Sequence, residues 1–534
     1  MSLRATKAPL WSLFVLWLVV GTAAAGPRAA AVASAHPLAT EAGLLVLEAG
    51  GNAFDAAVAV SAALGVVEPY GSGLGGGGFW LLHRAADGRD VMIDGRERAP
   101  LAAHRDMYLD ADGEPIPRAS IDGPLAAGIP GTPAALVHIA AHYGRLPLAV
   151  SLAPAIILAR DGFPVDHVYR RMAAMRIDAL RASPAARAQF LLDGEVPPEG
   201  HRLRQPDLAL TLEALAQRGA AGFYAGPVAR QLVAAVRAGG GVWSAGDLLE
   251  YRVVERRPVT VWHRGHRVVS ATLPSSGGVL LAQMLQMLEA LPGHPDTEVD
   301  RVHRLVEVMR RAYADRARYL GDPDHVAVPL LRLTSAAHAR NQARGIDPDR
   351  ATPSAALDGG AADEGFQTSH FSVIDREGNR VAATLSINYA FGSGFVAEGT
   401  GVLLNDEMDD FSLKPGVANV YGLVGNEANA IAPGKRMLSS MSPTFVEGPD
   451  RVVLLGTPGG SRIISMVLLG VLDLVEGVPI TTVVERGRFH HQYLPDRIDL
   501  EPGALPDAVI AALEERGHQV RRLDAPYGNM QAVE

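Results

Sequence analysis

The chain has 534 residues, 48% of them apolar, with 57 glycines, 36 prolines and no cysteine. Without cysteine there are no disulfides, thiolate nucleophiles, cysteine-ligated zinc sites or iron–sulfur clusters. Lys+Arg number 49 against Asp+Glu 58, a formal charge of −9, which argues against a nucleic-acid binder; the apolar content argues against wholesale disorder.

At ~150 residues per domain, the length predicts three or four domains or one large layered one. Arg4 and Lys7 precede an apolar run at 8–20, and Ala23-Ala24-Ala25 follows. This pattern predicts a secretory signal over residues 1–25, cut near Ala25. An uncleaved anchor is the alternative, but the run is short of the ~20 residues a spanning helix needs. The mature chain is expected to be soluble and exported, either periplasmic or secreted.

Residues 39–66 read as two helices rich in small side chains, broken at Gly50-Gly51-Asn52. The glycine run 71–78 leads into Phe79–Leu82, which reads as a buried strand. Helical spacing recurs at 134–142, 151–161, 208–217, 227–237 and 301–319. In the last, Val302, Leu305, Val306, Met309, Ala312 and Tyr313 form an apolar stripe, with Arg316 at the same spacing. Residues 346–367 carry Pro, Gly, Ala and Asp without apolar period and read as a mobile connector. Period two then sets in: 369–374 and 380–387 predict a β-hairpin. A strand at Val452–Leu455, a tight turn at Gly456–Gly460 and an apolar helix over 462–476 follow. Strands and helices mix without βαβ alternation, which favours stacked sheets with outer helices.

Several candidate chemistries are weak. Gly71, Gly73 and Gly76 spell G-x-G-x-x-G, with Asp94 about where a dinucleotide site needs its acid. A strand rather than a helix follows, so close backbone packing or a loop bordering a site is the better reading. His490-His491 lacks a second ligand cluster, and neighbours on a strand point to opposite faces, so a structural pair is expected rather than a metal site. Neither a G-x-S-x-G elbow nor a P-loop is present.

The junction Gln367-Thr368 is different. A cut before Thr368 gives it a free α-amine beside its own hydroxyl. Such an amine titrates near ~7.7–8.0, so it can take the hydroxyl proton directly or through one water. The same hydroxyl could first attack the preceding carbonyl and cut the chain itself. Spacing alone equally allows a threonine that caps or packs.

Residues 368–392, TSHFSVIDREGNRVAATLSINYAFG, closely resemble the start of the small subunit of γ-glutamyltranspeptidases, which are N-terminal nucleophile hydrolases. The resemblance extends to Ser34–Glu41, Gly51–Ala57, the run Gly71–Phe79, Asp94–Glu97, Pro130–Thr132 and Pro274–Gly278. It continues through Ala312–Arg316, Asn405–Phe411, Leu438–Pro443, Gly456–Gly460 and Phe489–Gln492, all in family order.

That resemblance implies an α+β fold, a four-layer αββα sandwich. It also implies a precursor that cuts itself between Gln367 and Thr368 into a large subunit (26–367) and a small catalytic subunit (368–534). Thr368 matches the nucleophile that forms an acyl-enzyme, and Gly459 and Gly460 match the oxyanion-holding amides. Arg96 matches the arginine on the donor's α-carboxylate, helped by Ser439 and Ser440. Asn388, Glu407 and Asp410 match the groups that accept from its ammonium. Ser386 stands where the family commonly has threonine, keeping the hydroxyl that supports the nucleophile. Tyr421 matches a tyrosine of a lid loop within 411–436. Family members usually continue for some tens of residues past the point matching Gly528–Gln531, with further strand, and losing a strand would expose a sheet edge. The implied activity is γ-glutamyl transfer from glutathione to water or to an amino acid or dipeptide amine, with no metal, organic cofactor or nucleic acid. Two alternatives are a glutaryl-type β-lactam acylase, which would not need Asp410, and a catalytically silent exported binding protein.

Overall fold

The break at Gly50-Gly51-Asn52 separates helix α1 (Pro37–Glu48) from α2 (Ala53–Val67). Asn52 Oδ1 accepts from the backbone amides of Phe54 and Asp55, both at 3.0 Å, and Asp55 Oδ2 accepts from Asn52 N at 3.0 Å. This reciprocal cap fixes where α2 begins. Apart from Gly65 every residue of α2 is buried, as expected of a helix that is apolar all round. The computed structural model describes residue 27, residues 29–357 and residues 368–534 except 415, 418, 421, 424 and 426. The expected signal segment, Gln367 and Tyr421 lie outside the described residues.

In chain order the strands that build the core are β1 (Ala31–Ser34), β2 (Gly77–Arg84), β3 (Arg89–Gly95), β4 (Val254–Arg256), β5 (Val259–His263) and β6 (His266–Ser270). After Thr368 come β7 (Ser369–Ile374), β8 (Arg380–Ser386), β9 (Thr444–Glu447), β10 (Val452–Gly456) and β11 (Gln531–Val533). One sheet has the order β1-β7-β8-β2-β3-β4, the other β11-β10-β9-β6-β5, and every pairing is antiparallel. Both sheets mix strands from before and after Thr368. In the first, the hairpin β7–β8 lies between β1 on one side and β2 on the other.

Side-chain alternation sorts the layers. Leu81 and Ala382 from the first sheet meet Val269, Phe445 and Leu454 from the second. Their neighbours Trp80, Leu82, Val381 and Ala383 point the other way, into the core beneath the helices. On that outer face lie α1, α2 and α3 (Thr132–His142), backed by α4 (Leu148–Asp161), with α5 (His167–Met175) next in the chain. On the other outer face lie α6 (Gly277–Ala290), α7 (Glu298–Tyr319) and α8 (Ile463–Val475). The result is the αββα sandwich implied by the resemblance. Among the described residues no helix is long and apolar enough to cross a membrane.

One expectation needs correcting. The connector predicted from residue 346 is pinned over its described part. Ala351 N donates to Arg516 O at 2.8 Å, Thr352 N and Oγ1 donate to Glu307 at 3.0 and 2.6 Å, and Ser354 N donates to Asp496 at 2.7 Å. Ser354 is wholly buried and opens a 3-10 turn, Ser354–Leu357. The anchor is polar, so an apolar-period reading does not register it.

Candidate functional site around Thr368

Thr368 immediately precedes β7 and is 8% exposed. The next residue is tied down, because Ser369 Oγ donates to Glu68 Oε2 at 2.9 Å. Thr368 lines two cavities. A narrow polar one also contains Ser386, Asn388, Glu407, Asp410, Ser439, Ser440 and Gly460. A larger one of about 580 Å³ is also lined by Gly459 and Tyr70. The structure therefore gathers the expected site residues Ser386, Asn388, Glu407, Asp410, Ser439 and Ser440 on one side of Thr368.

Each is positioned by a local device. Ser386 ends β8, and its Oγ accepts from Asn388 N at 2.8 Å. Asn388 adopts φ +71°, and its Nδ2 donates to Asp406 O at 3.0 Å. A 3-10 turn, Glu407–Asp410, presents Glu407 and Asp410 together. Arg96 follows β3 and is wholly buried. Its Nη1 donates to Glu407, its Nη2 to Asp410 Oδ2 at 2.5 Å, and its Nε to Met437 O at 3.2 Å. Burial raises the carboxyls of Glu407 and Asp410, and Arg96 pulls both back toward ionisation. Glu97 stands 3.6 Å from Arg96. Burial, and next the nearby Glu407, push Glu97 well above the usual carboxylate range. Glu407 Oε2 is buried and has no hydrogen-bond partner among the described residues, which leaves an acceptor open.

Strand β10 ends at Gly456, and Thr457-Pro458 leads into the glycine pair. Gly459 has φ +137° and Gly460 φ +54°, and the 3-10 turn Gly460–Arg462 runs into α8. The first amides of such a helical start have no acceptor four residues back, so they are free to meet an anion. Ser439 and Ser440 are held from α6 and α7. Ser276 Oγ donates to Ser439 O at 2.7 Å, and Arg316 donates to Ser440 Oγ at 3.3 Å and to Ser276 Oγ at 3.0 Å.

Two residues at the site had no role in the sequence reading. Arg316 is buried on α7, where loss of water lowers its pKa to about 10. The signal for it was a charge at the spacing of an apolar stripe. Glu68 faces the larger cavity, accepts from Tyr70 OH at 3.1 Å as well as from Ser369, and is raised by burial to about 7. Nothing in the local sequence marked it.

The weaker candidates resolve structurally. A strand does follow the glycine run, and a Cβ on Gly76 would overlap the Ser386 carbonyl, so the glycines serve close approach. Asp94 accepts from Arg96 N at 3.0 Å and Arg256 Nε at 2.8 Å, bracing the end of β3. His490 and His491 are buried with separate partners, Ser465 at 2.7 Å and Asp496 at 3.3 Å. Among the described residues no group of three His, Asp or Glu side chains is arranged to hold a metal ion.

The model of the gamma-glutamyltranspeptidase family matches residues 39–534. The chain is 43% identical over 509 residues to the glutathione hydrolase proenzyme of Escherichia coli (strain K12), covering 94% of this chain and 87% of that protein. The solved cephalosporin acylase from Bacillus halodurans matches with a TM-score of 0.82 at 26% identity, over 99% of this chain and 96% of that one. Helicobacter pylori gamma-glutamyltranspeptidase gives a TM-score of 0.58 at 39% identity, over 60% of this chain and 93% of that one.

Proposed function

Because the chain belongs to the gamma-glutamyltranspeptidase family, we propose that Thr368 is the nucleophile of a self-processing γ-glutamyl transferase and glutathione hydrolase. The observation that carries this is the position of Thr368 between two cavities, one of which is lined by Glu407 and Asp410, both paired with the buried Arg96.

In maturation, Thr368 Oγ attacks the carbonyl of Gln367, the acyl group shifts from nitrogen to oxygen, and water releases Gln367. The new α-amine then serves as proton acceptor for the hydroxyl beside it. Thr368 Oγ attacks the γ-carbonyl of the donor, and the amides of Gly459 and Gly460 take the developing oxyanion. The leaving amine carries off the proton, and an ester on Thr368 remains. Water or an amine resolves it.

The donor's glutamyl end is a zwitterion, and the narrow cavity presents Glu407 and Asp410, each paired with the buried Arg96. Its ammonium suits Asn388, Asp410 and the open oxygen of Glu407. Its carboxylate suits Arg96 with the hydroxyls of Ser439 and Ser440. Arg96 is already paired, so the donor joins an existing network and exchanges contacts within it. A glutaryl donor lacks the ammonium and would leave the two carboxylates with Arg96 as their one paired cation among the described residues. The apolar run at 8–20 and the alanines after it support an exported protein.

The test is a denaturing gel with mass spectrometry of the new N-terminus, beside assays on γ-glutamyl and glutaryl anilides. Two fragments divided before Thr368 are expected, with one uncut band for Thr368→Ala and a strong preference for the γ-glutamyl anilide. A single uncut polypeptide that turns over the donor at full rate would refute the assignment.

A further inference from the structure

We propose that the larger cavity at Thr368 is an acceptor chamber shaped for amino acids or short peptides with a large apolar side chain, whose carboxylate meets Arg171. This rests on the assignment of Thr368 above. The donor-reading carboxylates Glu407 and Asp410, with Arg96 paired to both, belong to the other cavity at Thr368, so this side receives whatever joins or leaves the γ-carbonyl.

The volume is about 580 Å³, far more than a water or a glycine needs. One wall is a single stripe of α5: Val168, Arg171, Met172 and Met175, at positions i, i+3, i+4 and i+7. Met172 is buried, while Met175 is 48% exposed. Unbranched thioethers adapt to differently shaped apolar groups, so two methionines suit a pocket for several large side chains. Leu523, Pro526, Tyr527 and Tyr70 also line the cavity.

The charges are uneven. Glu68 is engaged by Ser369 and Tyr70, and Arg521 is held by Asp499 at 2.7 Å. Arg171 is exposed and has no ion-pair partner among the described residues. It stands on the same stripe as the methionines, so an apolar body lying along α5 brings its carboxylate to the guanidinium. The exposed Asp524, which also lines the cavity, disfavours an acidic side chain. In the transfer step the neutral acceptor amine attacks the acyl carbonyl. A C–N bond forms, the ester C–O bond to Thr368 breaks, and the amine proton passes through the Thr368 α-amine to its oxygen.

The experiment uses the purified, self-processed full chain with γ-glutamyl p-nitroanilide as donor. Transfer products are quantified with glycine, glutamate, methionine, phenylalanine and phenylalaninamide. Methionine and phenylalanine should exceed glycine in kcat/KM by at least about tenfold, the size expected when one large apolar side chain leaves water. Phenylalaninamide should fall several-fold below phenylalanine, with Arg171→Gln bringing the two within about twofold, as loss of a charged hydrogen bond predicts. Met175→Asp should cut the phenylalanine-to-glycine ratio by about fivefold or more. Both substitutions are at exposed positions, and circular dichroism checks the fold. If p-nitroaniline is released but glycine serves as well as phenylalanine, or folded variants keep both ratios, the chamber assignment fails and that of Thr368 stands. If the processed chain releases no p-nitroaniline, both fall together.

Discussion

Gly456 and His370 fill one space between the two sheets. The His370 ring projects from β7, bonds Thr384 Oγ1 through Nδ1 at 2.8 Å, and occupies the volume a Cβ on Gly456 would need. His370 is two residues from Thr368, and Gly456 is three from Gly459, so this contact sets how far Thr368 stands from the glycine turn. Gly456→Ala should therefore cost roughly 1–3 kcal/mol of stability and lower kcat. Adding His370→Ala should recover part of the loss, because the two share the clash. Urea unfolding of both single variants and the double variant checks this; strict additivity would refute the shared space.

Arg96, wholly buried, pairs with both Glu407 and Asp410. Arg96→Lys keeps a charge but cannot reach both carboxylates and Met437 O in one plane. It should raise the donor KM about 10- to 100-fold, the value of one or two charged hydrogen bonds. Arg96→Ala should instead lose about 3–5 kcal/mol of stability by stranding the buried acids. Steady-state kinetics and thermal melts separate the two outcomes.

Gly459 has φ +137°, and a Cβ there would stand 2.6 Å from Met466 Cε. Gly459→Ala should twist its amide away from the reacting carbonyl. The expected result is a fall in kcat of about 10²–10³ with little change in donor KM, the pattern of a lost oxyanion contact. An unchanged kcat in a folded variant would remove this turn from the chemistry.

Glu68 supplies a pH prediction. Burial raises its carboxyl from the ordinary 4.5 to about 7 in the folded chain. The folded state thus holds a proton that the unfolded state releases. This stabilisation is complete below about 4.5 and is lost as pH rises through about 7. Glu68→Gln removes the dependence. Between pH 5 and pH 8 the variant should gain on the native chain by up to ~3 kcal/mol, read from urea midpoints. A stability difference that stays flat across that range would contradict the protonated Glu68.

What the sequence disclosed and what it hid follow the range of the interactions. The Asn52 cap, the β7–β8 hairpin and the turn at Gly459-Gly460 are set by residues a few positions apart, so composition and period reveal them. The pairing of Arg96 with Glu407 spans 311 positions. It was reachable only through the family resemblance of both segments. Arg316 and Glu68 have partners 124 and 301 positions away, so their local sequence gave no indication of them. The anchor at Thr352 and Ser354 escaped because a polar tether to Glu307 and Asp496 leaves no apolar rhythm.

The hairpin β7–β8 lies inside a sheet whose other strands all come earlier in the chain. A scission before Thr368 is therefore a nick within an intact fabric. The two polypeptides it would yield share one hydrogen-bonded ladder on both flanks of the hairpin, so neither could leave without unravelling the other. Proteolysis and assembly become the same event: the partners are already docked before they exist as separate molecules, and diluting the enzyme should never part them.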